Sequence, residues 1–157
     1  MLKLQSSAIR PDGTIPGEHT SRGKNQSPPL SWTGAPPETK TYALIMHDPD
    51  ARSGDVAHWV VFNMPATRTE LPADNPPHTG DVSDGTMQGR NDFDRVGYGG
   101  PNPPPGEPHR YHFELFALDT ALELEAGAKR AQVEQAMRGH VLAHAKLMGR
   151  YRNRGKT

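Results

Sequence analysis

At 157 residues the chain is the size of one domain that buries most of its core surface, and residues 1–157 are read as a single domain. Its 18 basic residues balance 18 acidic ones and it has no cysteine. Composition therefore offers no global field to gather nucleic acid or an anionic membrane, and it excludes disulfides, thiolate metal sites and a cysteine nucleophile.

No apolar run approaches the roughly 20 residues of a membrane span. The start, MLKLQSSAIRPDG, has neither a long apolar core nor a small-residue cleavage pattern, which predicts a cytoplasmic protein without integral membrane association. The 16 prolines and 16 glycines make up about a fifth of the chain, against roughly 12% in average usage. They cluster between apolar, alternating segments, which favours many short strands joined by ordered loops.

Leu2, Lys3, Leu4 and Gln5 alternate and predict a short strand before a turn at Arg10, Pro11, Asp12 and Gly13. Residues 15–29 are polar and proline-rich and read as loop. Leu30, Ser31 and Trp32 form a brief strand, with Trp32 expected in the core because aromatic burial is a large stabilising term in a small β-fold.

Residues 41–64, TYALIMHDPDARSGDVAHWVVFNM, predict a strand, a polar turn and a second strand. The turn brings Asp48, at the end of the first strand, and His58, at the start of the second, to the same rim of one sheet. A plainer reading leaves Asp48 and Asp50 making Asx-type turn bonds and His58 a satisfied strand-end histidine. Residues 65–86 are long and irregular, and His78 within them reads as a solvated loop residue. The segment GRNDF, residues 89–93, is turn-like and is expected to buttress the following loop from behind.

That loop and the strand after it read GYGGPNPPPGEPHRYHFELFALD. Alternation puts His109 and Tyr111 on one face and Arg110 and His112 on the other. If this strand neighbours the first two, Asp48, His58, His109 and Tyr111 converge on a small concave site. The proline run from 101 to 108 is read as a rigid rim rather than a polyproline ligand, because glycines 99, 100 and 106 bend it.

Beyond Asp119 the period changes. Val133, Met137, Val141, His144 and Met148 recur at three- and four-residue steps and predict an amphipathic helix over residues 129–150, bent at Gly139. Lys146, Arg150, Arg152, Arg154 and Lys156 would then cap its C-terminal end, where the helix dipole favours cations. On such a helix His140 and His144 would have the spacing of zinc ligands, although without a third ligand the pair reads as structural.

DPDA followed by HWVVFNM, then GGP and HRY, resembles the phosphatidylethanolamine-binding protein family, also called the Raf kinase inhibitor protein family. LSWTGAPPETK, GRNDF, GYGGP and GHVLAHAKLMGRY resemble its bacterial branch, and the likeness runs from about Ser6 to Tyr151. It implies a mainly β fold, a two-sheet antiparallel β-sandwich with a C-terminal helix, around a small anion-binding pocket. Carried over residue by residue, the pocket carboxylate falls on Asp48, its histidines on His58 and His109, and its tyrosine on Tyr111, with Gly100 and Pro101 in the wall. The family usually has proline after DPDA, and here Arg52 replaces that rigid apolar ring with a mobile cation.

The expected function is binding of a small anion or phosphate-bearing head group, with no catalytic residue, no cofactor and no resident metal. Histidine supplies a directed donor and, when protonated, a cation, and Tyr111 adds a neutral hydroxyl. Asp48 would keep His58 or His109 protonated. Alternatives are an acid–base phosphoesterase, with Ser53 the nearby nucleophile candidate, and a metal site of two histidines and one aspartate. Regulation of a protein partner by ligand-dependent binding follows only by analogy with the family's eukaryotic members, and the bacterial branch allows a homodimer.

Overall fold

The computed structural model describes residues 1–73 and 84–153. Two antiparallel sheets face each other. The smaller joins β1 (Lys3–Gln5), β2 (Leu30–Thr33) and β5 (Glu70–Leu71) in the order β1-β2-β5. The larger contains β3 (Thr41–Asp48), β4 (Val56–Pro65), β6 (Met87–Gln88), β7 (His109–Leu118) and β8 (Val141–Tyr151) in the order β6-β4-β3-β7-β8. One short helix, α1 (Arg130–Met137), completes the described elements, apart from a single 3-10 turn at Gly17–His19. His78 lies outside the described residues.

β3 is buried along all eight residues because both faces of the larger sheet are covered. Tyr42, Leu44 and Met46 face the smaller sheet and pack in one core with Trp32, Trp59, Phe113 and Leu115. Ala43 and Ile45 face the other way and join Val60, Phe62 and Leu118 beneath Val133 and Met137 of α1. Trp32 is buried as expected, and its indole N–H donates to Arg68 O at 3.0 Å.

β4 carries two register shifts against β3. Met46 pairs with Trp59 but His47 pairs with Ala57, which leaves His58 as an extra residue on β4. A bulge of this kind bends the strand and re-aims the side chain it carries. The second shift falls between the Tyr42 and Leu44 pairs, near Asn63, whose φ of 57° is held by side-chain bonds to the carbonyl and the N–H of Leu122. β7 pairs with β3 in constant register from Thr41–Leu118 to His47–His112. One step further in that register puts Tyr111 beside Asp48, on the face opposite His47.

The predicted helix over residues 129–150 is corrected. α1 ends at Met137, Gly139 takes a φ of 80°, and Val141–Tyr151 is the outermost strand of the larger sheet. The three- and four-residue spacing held only for Val133 and Met137. In β8 the alternation is real, with Ala145, Leu147 and Gly149 inward, but its inward residues are small or aliphatic and lack the β-branched character that marks a strand. Gly149 lets the strand close on the core, since a Cβ there would lie 2.8 Å from Ile15 and 2.9 Å from Ile9.

The reading of the basic tail as a helix cap falls with the helix. Lys146 and Arg150 stand on β8, Arg152 donates to Gly106 O at 2.8 Å, and Arg154 and Lys156 lie outside the described residues. His140 and His144 do not share a helix either. His140 bonds Asp119 at 2.8 Å, and His144 stacks on Phe116 with ring centroids 4.7 Å apart.

Candidate functional site

The ends of β3 and β7 and the bulge of β4 meet at one rim of the larger sheet. Asp48, His58, His109 and Tyr111 all line a cavity there of about 340 Å³. Asp48 Oδ1 accepts the Asp50 N–H at 2.8 Å, the Asx-type turn bond that a plain reading of the sequence anticipates. Its Oδ2 lies 2.7 Å from His109 Nδ1. One carboxylate therefore closes its own turn and orients an imidazole from a strand 61 residues away.

The sequence left open which histidine Asp48 would hold, and the structure pairs it with His109. His58 turns its Nδ1 to Gly99 O at 2.6 Å. That carbonyl fixes the Nδ1–H tautomer and leaves Nε2 as an acceptor. Burial pushes the His58 pKa down, against the opposing pull of the Gly99 carbonyl and the Asp48 charge. His58 is thus a neutral imidazole at pH 7. Its ring stands edge-on to Tyr111 at 5.2 Å and to Phe93 at 4.9 Å. Burial first, and the Asp48 charge second, push the Tyr111 pKa far up, so its hydroxyl stays protonated.

Outside the cavity, Asp50 accepts Arg110 Nε at 3.0 Å, its Nη2 at 2.8 Å and its backbone N–H at 2.8 Å. The Arg110 fork holds the Asp50 carboxyl down at about 2. This clasp ties the loop after β3 to the start of β7, so the strand ends carrying Asp48 and His109 are fixed together.

Arg52 lines the cavity mouth. No hydrogen bond or ion pair engages its guanidinium among the described residues. Ser53 also lines the mouth, but its hydroxyl bonds no imidazole among the described residues, as an activated nucleophile would. Nor does any group of three or more His, Cys, Asp or Glu there have the arrangement of a metal site.

The wall differs from expectation. Gly100 and Pro101 do not line this cavity; Asn102, Pro103 and Pro104 do. Gly100 stands behind them, donating its N–H to Asn25 Oδ1 at 2.8 Å, and Pro101 O accepts the Ser21 N–H at 3.1 Å. Gly100 is needed for close approach rather than for a bend, since a Cβ there would sit 2.6 Å from both Asn25 Oδ1 and His19 O.

Sequence reasoning missed Phe93, which is half exposed and lines the cavity. Side-chain bonds from Asn91 and Asp92 hold its segment in place. Buried Asn91 accepts the N–H groups of Phe93 and Arg95 and donates to Gly97 O, while Asp92 accepts the Ala57 N–H at 2.7 Å. The signal available beforehand was the aromatic residue closing a turn-forming segment just before the glycine loop.

A family model described as phosphatidylethanolamine-binding protein matches residues 5–152. The chain belongs to the phosphatidylethanolamine-binding protein family. It is 51% identical over 151 residues to a UPF0098 protein of Methanothermobacter thermautotrophicus, spanning 96% of this chain and 99% of that one. To the YbhB protein of Escherichia coli it is 37% identical over 153 residues, spanning 93% and 97%. The crystal structure of E. coli YbcL, described as a new member of the mammalian family, superposes with a TM-score of 0.89 at 33% identity and covers 97% of this chain and 98% of that one. The two-sheet fold is thus the family fold, and no helix among the described residues is long and apolar enough to cross a membrane.

Proposed function

We propose that the cavity binds a small anion of the phosphate class, free or as a head group, without turning it over. The observation that carries this reading is the occupation of both Asp48 oxygens, by the Asp50 N–H and by His109. The negative charge nearest the cavity is committed to protein partners, which offsets its repulsion of an anion.

The donors facing the cavity are of three kinds. His109, when doubly protonated, keeps one N–H on Asp48 and has a second for the ligand. Tyr111 has a hydroxyl that stays protonated and is shared with Asp48, and Arg52 adds a mobile cation. His58, being neutral, contributes shape and an acceptor for a ligand hydroxyl or a protonated phosphate oxygen.

A metal at the same place would instead need both imidazoles neutral and as acceptors. The test is calorimetric titration of the full chain with inorganic phosphate and with phosphoethanolamine at pH 6. Binding with Kd of about millimolar or tighter, weakened in Tyr111→Phe, supports the reading. Absence of binding by either ligand to folded protein contradicts it.

A further inference from the structure

Behind Phe93 and Asn102 lies a second cavity of about 270 Å³, which shares those two residues with the first. Its lining includes Ser21, Asn25 and Arg95 and contains no carboxylate. The nearest acidic residues in sequence are engaged elsewhere, Asp92 by the Ala57 N–H and Asp94 by Arg90 at 3.3 Å. No hydrogen bond or ion pair engages the Arg95 guanidinium among the described residues, whereas Arg68, Arg90, Arg110 and Arg130 each meet a carboxylate.

Asn25 is fixed in the wall. It takes a φ of 57°, and its Oδ1 accepts the Gly100 N–H, an assignment forced by the donor it faces. Its amide Nδ2 is then a donor without a partner among the described residues. Asn102, common to both cavities, adds a second amide. Each chamber therefore holds an arginine free of carboxylates, Arg52 in the first and Arg95 in the second, and Phe93 offers a ring between them.

Building on the phosphate reading of the first chamber, we infer that the two chambers form one site for a small ligand with two acidic groups: a phosphate monoester whose short apolar or aromatic body crosses Phe93 and whose second acidic group, a carboxylate, meets Arg95 and Asn25. A zwitterionic head group fits less well, because its ammonium would meet Arg95 with no uncommitted carboxylate in the lining. Arginine matches a carboxylate through two parallel N–H donors.

The test compares four probes on the full chain at pH 6: phenyl phosphate, its 4-carboxy and 4-(2-carboxyethyl) derivatives, and 4-(aminomethyl)phenyl phosphate. At least one carboxylated probe is expected to bind about tenfold tighter than phenyl phosphate, the size of one charge-assisted contact, and the aminomethyl probe no tighter. Arg95→Gln removes that gain while leaving phenyl phosphate affinity within about twofold. The inference is overturned if neither carboxylated probe gains, if the gain survives in Arg95→Gln, or if the aminomethyl probe gains equally. These outcomes leave phenyl phosphate binding intact, and with it the phosphate reading. Failure of phenyl phosphate itself to bind folded wild-type protein removes both.

Discussion

Asp48 Oδ2 and His109 Nδ1 stand 2.7 Å apart across the ends of β3 and β7. The carboxylate is buried and the imidazole side chain is only 12% exposed, so removing either partner strands the other. A double-mutant cycle of Asp48→Asn and His109→Gln, read by urea denaturation, is expected to give a coupling of about 1–3 kcal/mol. Additive effects would show that the pair is not formed.

On the far face of the same sheet, His47 lies between Asp55 and Glu114. Burial alone lowers its pKa, but the bonds to Glu114 and Asp55 outweigh burial and hold it above the ordinary value. Glu114 in turn is held down at about 2, chiefly by His47. A depressed carboxylate contributes stability that is present above its unfolded pKa of about 4.5 and lost as pH falls toward 2. A raised histidine contributes stability that is complete below about 6.5 and lost as pH rises through its folded value. Glu114→Gln should therefore destabilise by about 1–3 kcal/mol at pH 6 and by less at pH 9. Equal losses at the two pH values in chemical denaturation would refute the linkage.

Asn91 satisfies three backbone groups, the N–H of Phe93, the N–H of Arg95 and the carbonyl of Gly97, while itself 3% exposed. Asn91→Ala should cost about 2 kcal/mol of stability and weaken phosphate binding, because Phe93 loses its fixed place beside His58. Unchanged midpoint and unchanged affinity would show that the segment does not brace the cavity.

Gly100→Ala would put a methyl group against a backbone oxygen, His19 O, that cannot rotate away. The expected loss is about 1–3 kcal/mol, together with the Asn25 bond that shapes the second chamber. Thermal melts at wild-type stability would mean that the 19–25 loop yields freely.

The sequence showed the strands that build the site because their signals are local. Asp48-Pro49 and His109-Arg110-Tyr111 sit at the ends of alternating, β-branched or aromatic runs, so strand termini and side-chain faces followed from period alone. The state of His58 did not, because it depends on groups remote in the chain: burial keeps the ring neutral, and the Gly99 carbonyl, 41 residues away, fixes which nitrogen carries the proton. The bulge that aims His58 exists only in the pairing of β4 with β3. Phe93 and Arg95 were missed because Asn91 and Asp92 position their loop through bonds no periodicity reports. β8 was misread because Ala and Lys recur in it, and these residues favour a helix over a strand.

In the proposed function His109, oriented by Asp48, donates to the anionic ligand while His58 stays neutral. Sulfate, titrated calorimetrically into the full chain at pH 6, should bind wild-type protein and His58→Gln within about threefold of one another, and folded His109→Gln about tenfold or more weakly, the size of one charge-assisted contact. Equal affinities for His109→Gln and wild-type protein contradict the claim.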